Sequence, residues 1–187
     1  NEGLDIKHLL IGAEGRLGIV TGAVLKLEPA PSATSTALTS FEDAASAVAA
    51  FHSLRAEGNL LRAEIMWKAY AETVAQDVGL ADLIAPFAGD VLVLFEHAAA
   101  TQTDAQAVQE NSLVPLMESG QILHAVIAQN DRQASDFWSV REESWAVERR
   151  WPGGYWYDVS VPLNGLDEYV CELEKELKNI AAEVHLS

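Results

Sequence analysis

Three glycines stand three residues apart, Gly12, Gly15 and Gly18, in the segment Ile11-Gly-Ala-Glu-Gly-Arg-Leu-Gly-Ile-Val-Thr21. A residue without a Cβ takes positive φ freely and lets main-chain N–H groups come close to a ligand. Successive N–H groups in such a loop form a concave site for phosphate or pyrophosphate. The apolar, β-branched run that follows, from Ile19 to Leu27, reads with Gly18 as a strand ending before Glu28-Pro29. Two readings stay open on these residues alone: a sharp turn entering a strand, or one side of a nucleotide-type cofactor site. Glu14 inside the loop repels an anion unless it points away or binds a ribose hydroxyl.

A second cluster lies in Phe137–Tyr157. It holds Trp138, Trp145, Trp151 and Trp156, with Arg141, Arg149 and Arg150 among them. On a helix spanning 131–147, Trp138, Arg141 and Trp145 share one stripe. A guanidinium flanked by two indoles is hard to bury without an anion and is shaped for a bidentate grip on a carboxylate. Arg141 is therefore the candidate anchor for an organic acid. The competing reading has Arg141 reaching out of a Trp-rich core to pair with Glu142, Glu143 or another local acid. Arg149 and Arg150, beside Pro152-Gly153-Gly154, read as solvated loop charges.

Other chemistries find no support. Histidines 8, 52, 97, 124 and 185 are scattered without metal-ligand spacing, and no Cys-x-x-Cys pair occurs, so no metal site is expected. His8 alone stands near the glycine loop. Neither a Gly-x-Ser-x-Gly elbow nor a P-loop lysine motif is present. Twelve Lys and Arg against twenty-eight Asp and Glu give a net charge of −16 over 187 residues, which repels nucleic acid and anionic lipid. No apolar run approaches the ~20 residues of a membrane span. Cys171 is the only cysteine, so no internal disulfide can form, and a cytoplasmic location is expected. The first residues, Asn-Glu-Gly-Leu-Asp, resemble neither a leader nor a start, and the chain reads as a piece of a longer protein.

The elements that must hold these groups alternate. Pro29 and Pro31 mark a domain boundary near residue 31. Strands are expected at Thr34–Phe41, Arg62–Trp67, Val91–Glu96, Ile122–Ala128 and Tyr155–Val161. Helices are expected at Glu42–Ala56, Lys68–Val78, Thr101–Ser119, Asp131–Val147 and Asn164–Ala182, with a short turn at Asp82–Pro86. Thr101 or Thr103 caps the third helix. This order predicts an α+β fold, an antiparallel or mixed sheet with helices on one face.

The segment from Asp5 through Gly12, Glu14, Gly15 and Gly18 to Ile19-Val-Thr21 resembles the Gly-Ser-Glu-Gly-Thr-Leu-Gly-Ile-Ile-Thr motif of the FAD-linked 2-hydroxy-acid dehydrogenases and oxidases. That family includes D-lactate and D-2-hydroxyglutarate dehydrogenases and the glycolate oxidase flavin subunit, with a vanillyl-alcohol-oxidase type of FAD fold. Phe137-Trp138-Ser-Val-Arg141-Glu142 is similar to its aromatic-Trp-x-x-Arg-Glu helix, and Tyr157-Asp158-Val-Ser160-Val161-Pro162 to its Tyr-Asp-Val-Ser-Val-Pro strand.

The resemblance implies that residues 1–31 end an FAD-binding domain, with Gly12, Glu14, Gly15, Gly18 and Ile19 at the FAD. Residues 32–187 would be a substrate, or cap, domain in which Arg141 grips the substrate carboxylate. The enzyme would pass a hydride from a 2-hydroxy acid to the flavin and hand the electrons to a separate acceptor; a homo-oligomer is left open. The family's Gly-His…Asp-Gly-Asn-x-His segment is expected after Ser187, so no catalytic residue is expected among these 187 and the chain alone is expected to be inactive. Branches acting on dicarboxylic acids carry a lysine where this sequence has Trp156, which points to an apolar substrate tail. The rival functions are a non-catalytic α+β module holding a small carboxylate or a partner chain at the Trp/Arg cluster, and a nucleotide-binding domain using residues 12–18 alone.

Overall fold

The computed structural model describes Gly3, residues 5–154 and residues 156–180. In chain order the elements are α1 (Lys7–Leu10), β1 (Ala33–Phe41), α2 (Ala44–Ala56), β2 (Leu60–Trp67), α3 (Lys68–Asp77), α4 (Ala81–Ile84), β3 (Val91–Ala99) and α5 (Gln102–Glu118). They continue with β4 (His124–Ile127), α6 (Asp131–Glu142), α7 (Trp145–Arg150), a 3₁₀ turn at Leu163–Gly165 and α8 (Leu166–Ile180). Two units separate, residues 1–30 and residues 31–187.

In the first unit, α1 leads into the glycine loop and then into chain without regular structure. The strand expected at Gly18–Leu27 does not form. A strand exists only where its N–H and C=O groups find a second strand, and the described residues offer this run none. Ile19, Val24 and Leu27 are almost fully exposed.

In the second unit, the run Val91-Leu-Val-Leu-Phe95 has no polar side, so both of its faces need cover. It forms the middle of a four-stranded antiparallel sheet in the order β2-β3-β1-β4. Ala37, Phe41, Val91, Val93 and Phe95 face one way and pack with Ala47, Ala50 and Leu54 of α2 and Leu113 of α5. Leu38, Met66, Leu92 and Leu94 face the other way and pack with Tyr70 and Val74 of α3, Ile84 of α4 and Phe137 and Val140 of α6. The α+β antiparallel architecture holds. The expectation of helices on one face does not: α2 and α5, the crossover helices of a split βαβ arrangement, share one face, and α3, α4 and α6 cover the other. The physical reason is the two-sided apolar character of β1 and β3.

Local chemistry sets several boundaries. Asp43 caps α2 by accepting from the Ser46 N–H at 2.8 Å, and Thr101 caps α5 by accepting from Asp104 at 3.2 Å. Gly89 (φ 80°) enters β3 so close to Phe41 that a Cβ would lie 2.1 Å from the Phe41 carbonyl oxygen, so no side chain fits there.

The single helix expected over 131–147 is broken. α6 ends at Glu142, Glu143 leaves the helical region (φ −79°, ψ 49°), and α7 starts anew after Ser144. No Gly or Pro marks this break. The strand expected at Tyr155–Val161 is absent over residues 156–161, and its Tyr155 lies outside the described residues. The last two residues of the helix expected at Asn164–Ala182, and His185, also lie outside them. Among the described residues, no helix is long and apolar enough to cross a membrane.

Candidate functional site

Strand alternation places Thr36 of β1, Arg62 and Glu64 of β2 and Glu96 of β3 on the face covered by α6. On α6, Phe137 and Val140 are buried in the core, while Trp138 and Arg141, three residues apart, meet the polar strand residues. Asn130 caps this helix by accepting from the Gln133 N–H at 3.0 Å. At its other end the Tyr70 hydroxyl donates to the Arg141 carbonyl oxygen at 2.7 Å, which fixes the last turn of α6 against α3. Burial pushes the Tyr70 phenol up, opposed by the nearby Arg141 charge.

Arg141 donates from Nε to Glu64 Oε2 at 3.2 Å. Its side chain is 37% exposed, and it lines a cavity of about 100 Å³ with Ile65, Met66, Tyr70 and Ser144. The Glu142 or Glu143 pairing considered from sequence is not the one found; the partner comes from β2, 77 residues away. The stripe is also different. Trp145, on the far side of the α6/α7 break, is 70% exposed. Trp138 stacks not on Arg141 but under Arg62, whose guanidinium carbon lies 4.6 Å from the indole centroid.

Arg62 and Glu96 were missed in the sequence. The Glu96 carboxylate is buried, at 3% exposure, and accepts four hydrogen bonds. They come from Thr36 Oγ1 (3.0 Å), Arg62 Nε (3.0 Å), Arg62 Nη2 (2.6 Å) and Trp138 Nε1 (3.2 Å). A charge can stay buried only with such a shell. The signal was present: a glutamate directly after Val91–Phe95 and an arginine in an apolar strand.

On the opposite face of the same strand, His97 is also buried. Its Nδ1–H donates to Gln109 Oε1 of α5 at 2.9 Å, while its Nε2 and Gln109 Nε2 have no partner among the described residues. Ser112 donates to Glu57 beside them. Burial holds the His97 imidazole below its ordinary range, opposed by the Gln109 hydrogen bond and the Glu57 charge.

The remaining candidates are dispersed. Arg149, expected as a solvated loop charge, pairs with Asp77 of α3, its Nε donating at 3.2 Å. Arg150 lies 5.2 Å from the Trp151 ring. Glu148 accepts from the Gly153 N–H and from Trp156 Nε1, both at 3.0 Å, and those bonds hold its carboxyl below the usual range. Tyr157 and Val159 are exposed. His8 lies at the surface, 3.7 Å from Asp5. Cys171 is exposed, and no cluster able to hold a metal occurs among the described residues.

In the first unit, Gly12 (φ 80°), Glu14 (φ 50°) and Gly15 (φ 77°) make a left-handed loop. It borders a depression of about 410 Å³ with Leu9, Ile11, Arg16 and Leu17. A Cβ on Gly12 or Gly15 would meet nothing within 4 Å, and Gly18 and Ile19 are exposed. An open loop of this kind fits one edge of a polar cofactor.

Residues 30–185 match the family described as FAD linked oxidases, C-terminal domain. The chain is 29% identical to "D-2-hydroxyglutarate dehydrogenase, mitochondrial" of Arabidopsis thaliana over 183 residues, 97% of this chain and 33% of that protein. It is 35% identical to "Probable D-2-hydroxyglutarate dehydrogenase, mitochondrial" of Oryza sativa subsp. japonica, over 95% of this chain and 32% of that protein. Against "D-2-hydroxyglutarate dehydrogenase" of Xanthomonas citri pv. viticola the identity is 33%, over 93% and 36%. The chain thus spans about a third of the length of these curated relatives.

Proposed function

The chain belongs to the FAD-linked oxidases, through their C-terminal-domain family, and from that premise we propose that it is the substrate-binding part of an FAD-dependent 2-hydroxy-acid dehydrogenase. Residues 32–187 form the substrate domain in this reading, and residues 1–31 are the end of an FAD-binding domain. Gly12, Glu14, Gly15, Gly18 and Ile19 would lie along the cofactor, and the apolar run Ile19–Leu27 would find its strand partners in the rest of that domain.

The observation that carries the reading is Arg141. Its guanidinium is half-exposed at the mouth of a cavity and donates one hydrogen bond, from Nε, to a side chain. The guanidinium also reaches the Tyr70 hydroxyl, and its planar fork suits a carboxylate. Tyr70 fixes the backbone from which it projects. Arg141 would thereby hold the 2-hydroxy acid by its carboxylate, and binding would supply the orientation that the reaction needs. Bound FAD supplies the hydride acceptor.

The names of the relatives favour 2-hydroxyglutarate-like substrates, against the apolar substrate tail expected from Trp156. Electrons would leave to a separate acceptor. We place the protein in the cytoplasm or in a comparable reducing compartment such as the one the relatives' mitochondrial names indicate.

The test is anaerobic flavin reduction in the flavin-containing protein that carries this chain. Addition of D-2-hydroxy acids is expected to bleach the flavin absorbance, with saturation. A flavin that stays oxidised with every short 2-hydroxy acid overturns the proposal. The non-catalytic rival has no observation in its favour.

A further inference from the structure

We infer that Glu64 is a positioning residue of the substrate site: its bond to Nε holds the Arg141 guanidinium in the orientation that receives the carboxylate of the 2-hydroxy acid. The inference rests on the proposed function above. Arg141 is the last residue but one of α6, and the chain leaves the helix at Glu143 just after it. A long side chain at a helix end has many rotamers, and ordering them when a ligand arrives weakens the grip. Glu64 belongs to a firmer element. It stands opposite Leu94 in the β2–β3 ladder, and Leu94 is fully buried in the middle of the sheet. Tyr70 of α3 holds the Arg141 carbonyl oxygen and reaches the guanidinium. Glu64 supplies the restraint that comes from the sheet.

Two arginine–glutamate pairs on the α6 face separate a structural role from this one. Glu96 is buried and accepts four hydrogen bonds, two of them from Arg62, so that pair keeps a charge inside the fold. Glu64 is 41% exposed and Arg141 37%. Water solvates both charges at such exposure, and an ion pair of this kind adds little to stability. The bond that joins them runs from Nε to Oε2 at 3.2 Å. Nε is the donor nearest the stem, so a bond there sets the plane of the whole fork. Glu64 also places a negative charge beside a site for an anion, which lowers affinity by repulsion. Neither stability nor attraction accounts for the pair, whereas preorganisation of Arg141 does, and it offsets the repulsion.

The experiment measures kcat and KM in the flavin-containing protein with D-2-hydroxyglutarate and with D-lactate as reductants. The variants are Glu64→Gln, which keeps an acceptor for Nε and removes the charge, and Glu64→Ala, which removes both. Glu64→Ala is expected to lower kcat/KM at least 10-fold with an unchanged melting temperature. Glu64→Gln is expected to stay within threefold of wild type. In an Arg141→Ala background, Glu64→Ala is expected to cause no further loss, because Glu64 acts through Arg141. A Glu64→Ala variant within twofold of wild type overturns the inference and leaves the proposed function standing. So does a Glu64→Gln variant as impaired as Glu64→Ala, or the same fold loss in the Arg141→Ala background. A wild-type flavin that neither acid reduces overturns the proposed function instead.

Discussion

Glu96 and His97 are neighbours in β3, both buried, and they meet opposite fates. Glu96 points to the α6 face as a full charge and has four donors around it. His97 points to the α5 face and has one partner, with Nε2 unpaired. A buried charge left unsatisfied would unfold a marginal domain, so a carboxylate there comes with its complete shell. A neutral imidazole costs less and tolerates an incomplete one. The complete cluster adjoins the open guanidiniums of Arg62 and Arg141; the incomplete one is closed under α5. The fully satisfied charge is found on the face where the substrate site is proposed, and the other face carries packing with a weak polar seam.

Removing the counter-charge gives the largest effect. Arg62→Ala leaves Glu96 with the Thr36 and Trp138 donors only and is expected to cost about 3 kcal/mol, the low end for a broken buried pair because Arg62 is half-exposed. Urea unfolding of the 187-residue chain measures it, and a loss under 1 kcal/mol would erase the contrast between the faces. On the α5 face, His97→Leu and Gln109→Leu are each expected to cost about 1–3 kcal/mol, since each leaves a buried polar group alone. The double substitution is expected to cost clearly less than the sum, because the orphaned partner goes with the first. Strict additivity would mean that the two side chains do not share an energetic fate. Smaller again is Thr36→Val, which removes one of four donors to Glu96 and is expected to cost about 1 kcal/mol.

The subtlest difference lies in pH. Burial depresses the His97 pKa in the folded state, so the unfolded chain binds the proton better. The stability this contributes is complete above the unfolded imidazole value, about 6.5, and is lost as pH falls through the lower native one. Wild type should therefore lose stability on acidification below 6.5 more steeply than His97→Leu. Asp43, held low by the Ser46 hydrogen bonds, acts in the carboxylate range and is common to both. Parallel curves between pH 6.5 and 5 would contradict the assignment.

Sequence pattern was enough for the framework. The unbroken run at 91–95, the Ala-rich stripe of α2 and the Thr101 cap each declare an element through local chemistry, and β1, β3, α2 and α5 lie close to where these signals put them. The failures share one cause, dependence on distant partners. Gly18–Leu27 has strand residues but no strand beside it. The end of α6 at Glu142 comes with no Gly or Pro to announce it. Arg141 was visible as a candidate from its type and neighbours, whereas its partner Glu64 lies 77 residues away. The exchange of roles in which Arg62, not Arg141, takes the Trp138 ring depends on sheet register, which no local window contains.

The central claim is that Arg141 holds the substrate carboxylate, and it is tested most directly by Arg141→Lys and Arg141→Ala in the flavin-containing protein, followed by anaerobic flavin reduction. A lost charge-assisted bidentate contact is expected to lower kcat/KM for a 2-hydroxy acid by at least 100-fold in the alanine variant, with lysine recovering part of it. Circular dichroism should stay unchanged, since the Tyr70 bond to the Arg141 carbonyl oxygen survives the substitution. Flavin reduction within threefold of wild type in the alanine variant would show that the carboxylate is held elsewhere.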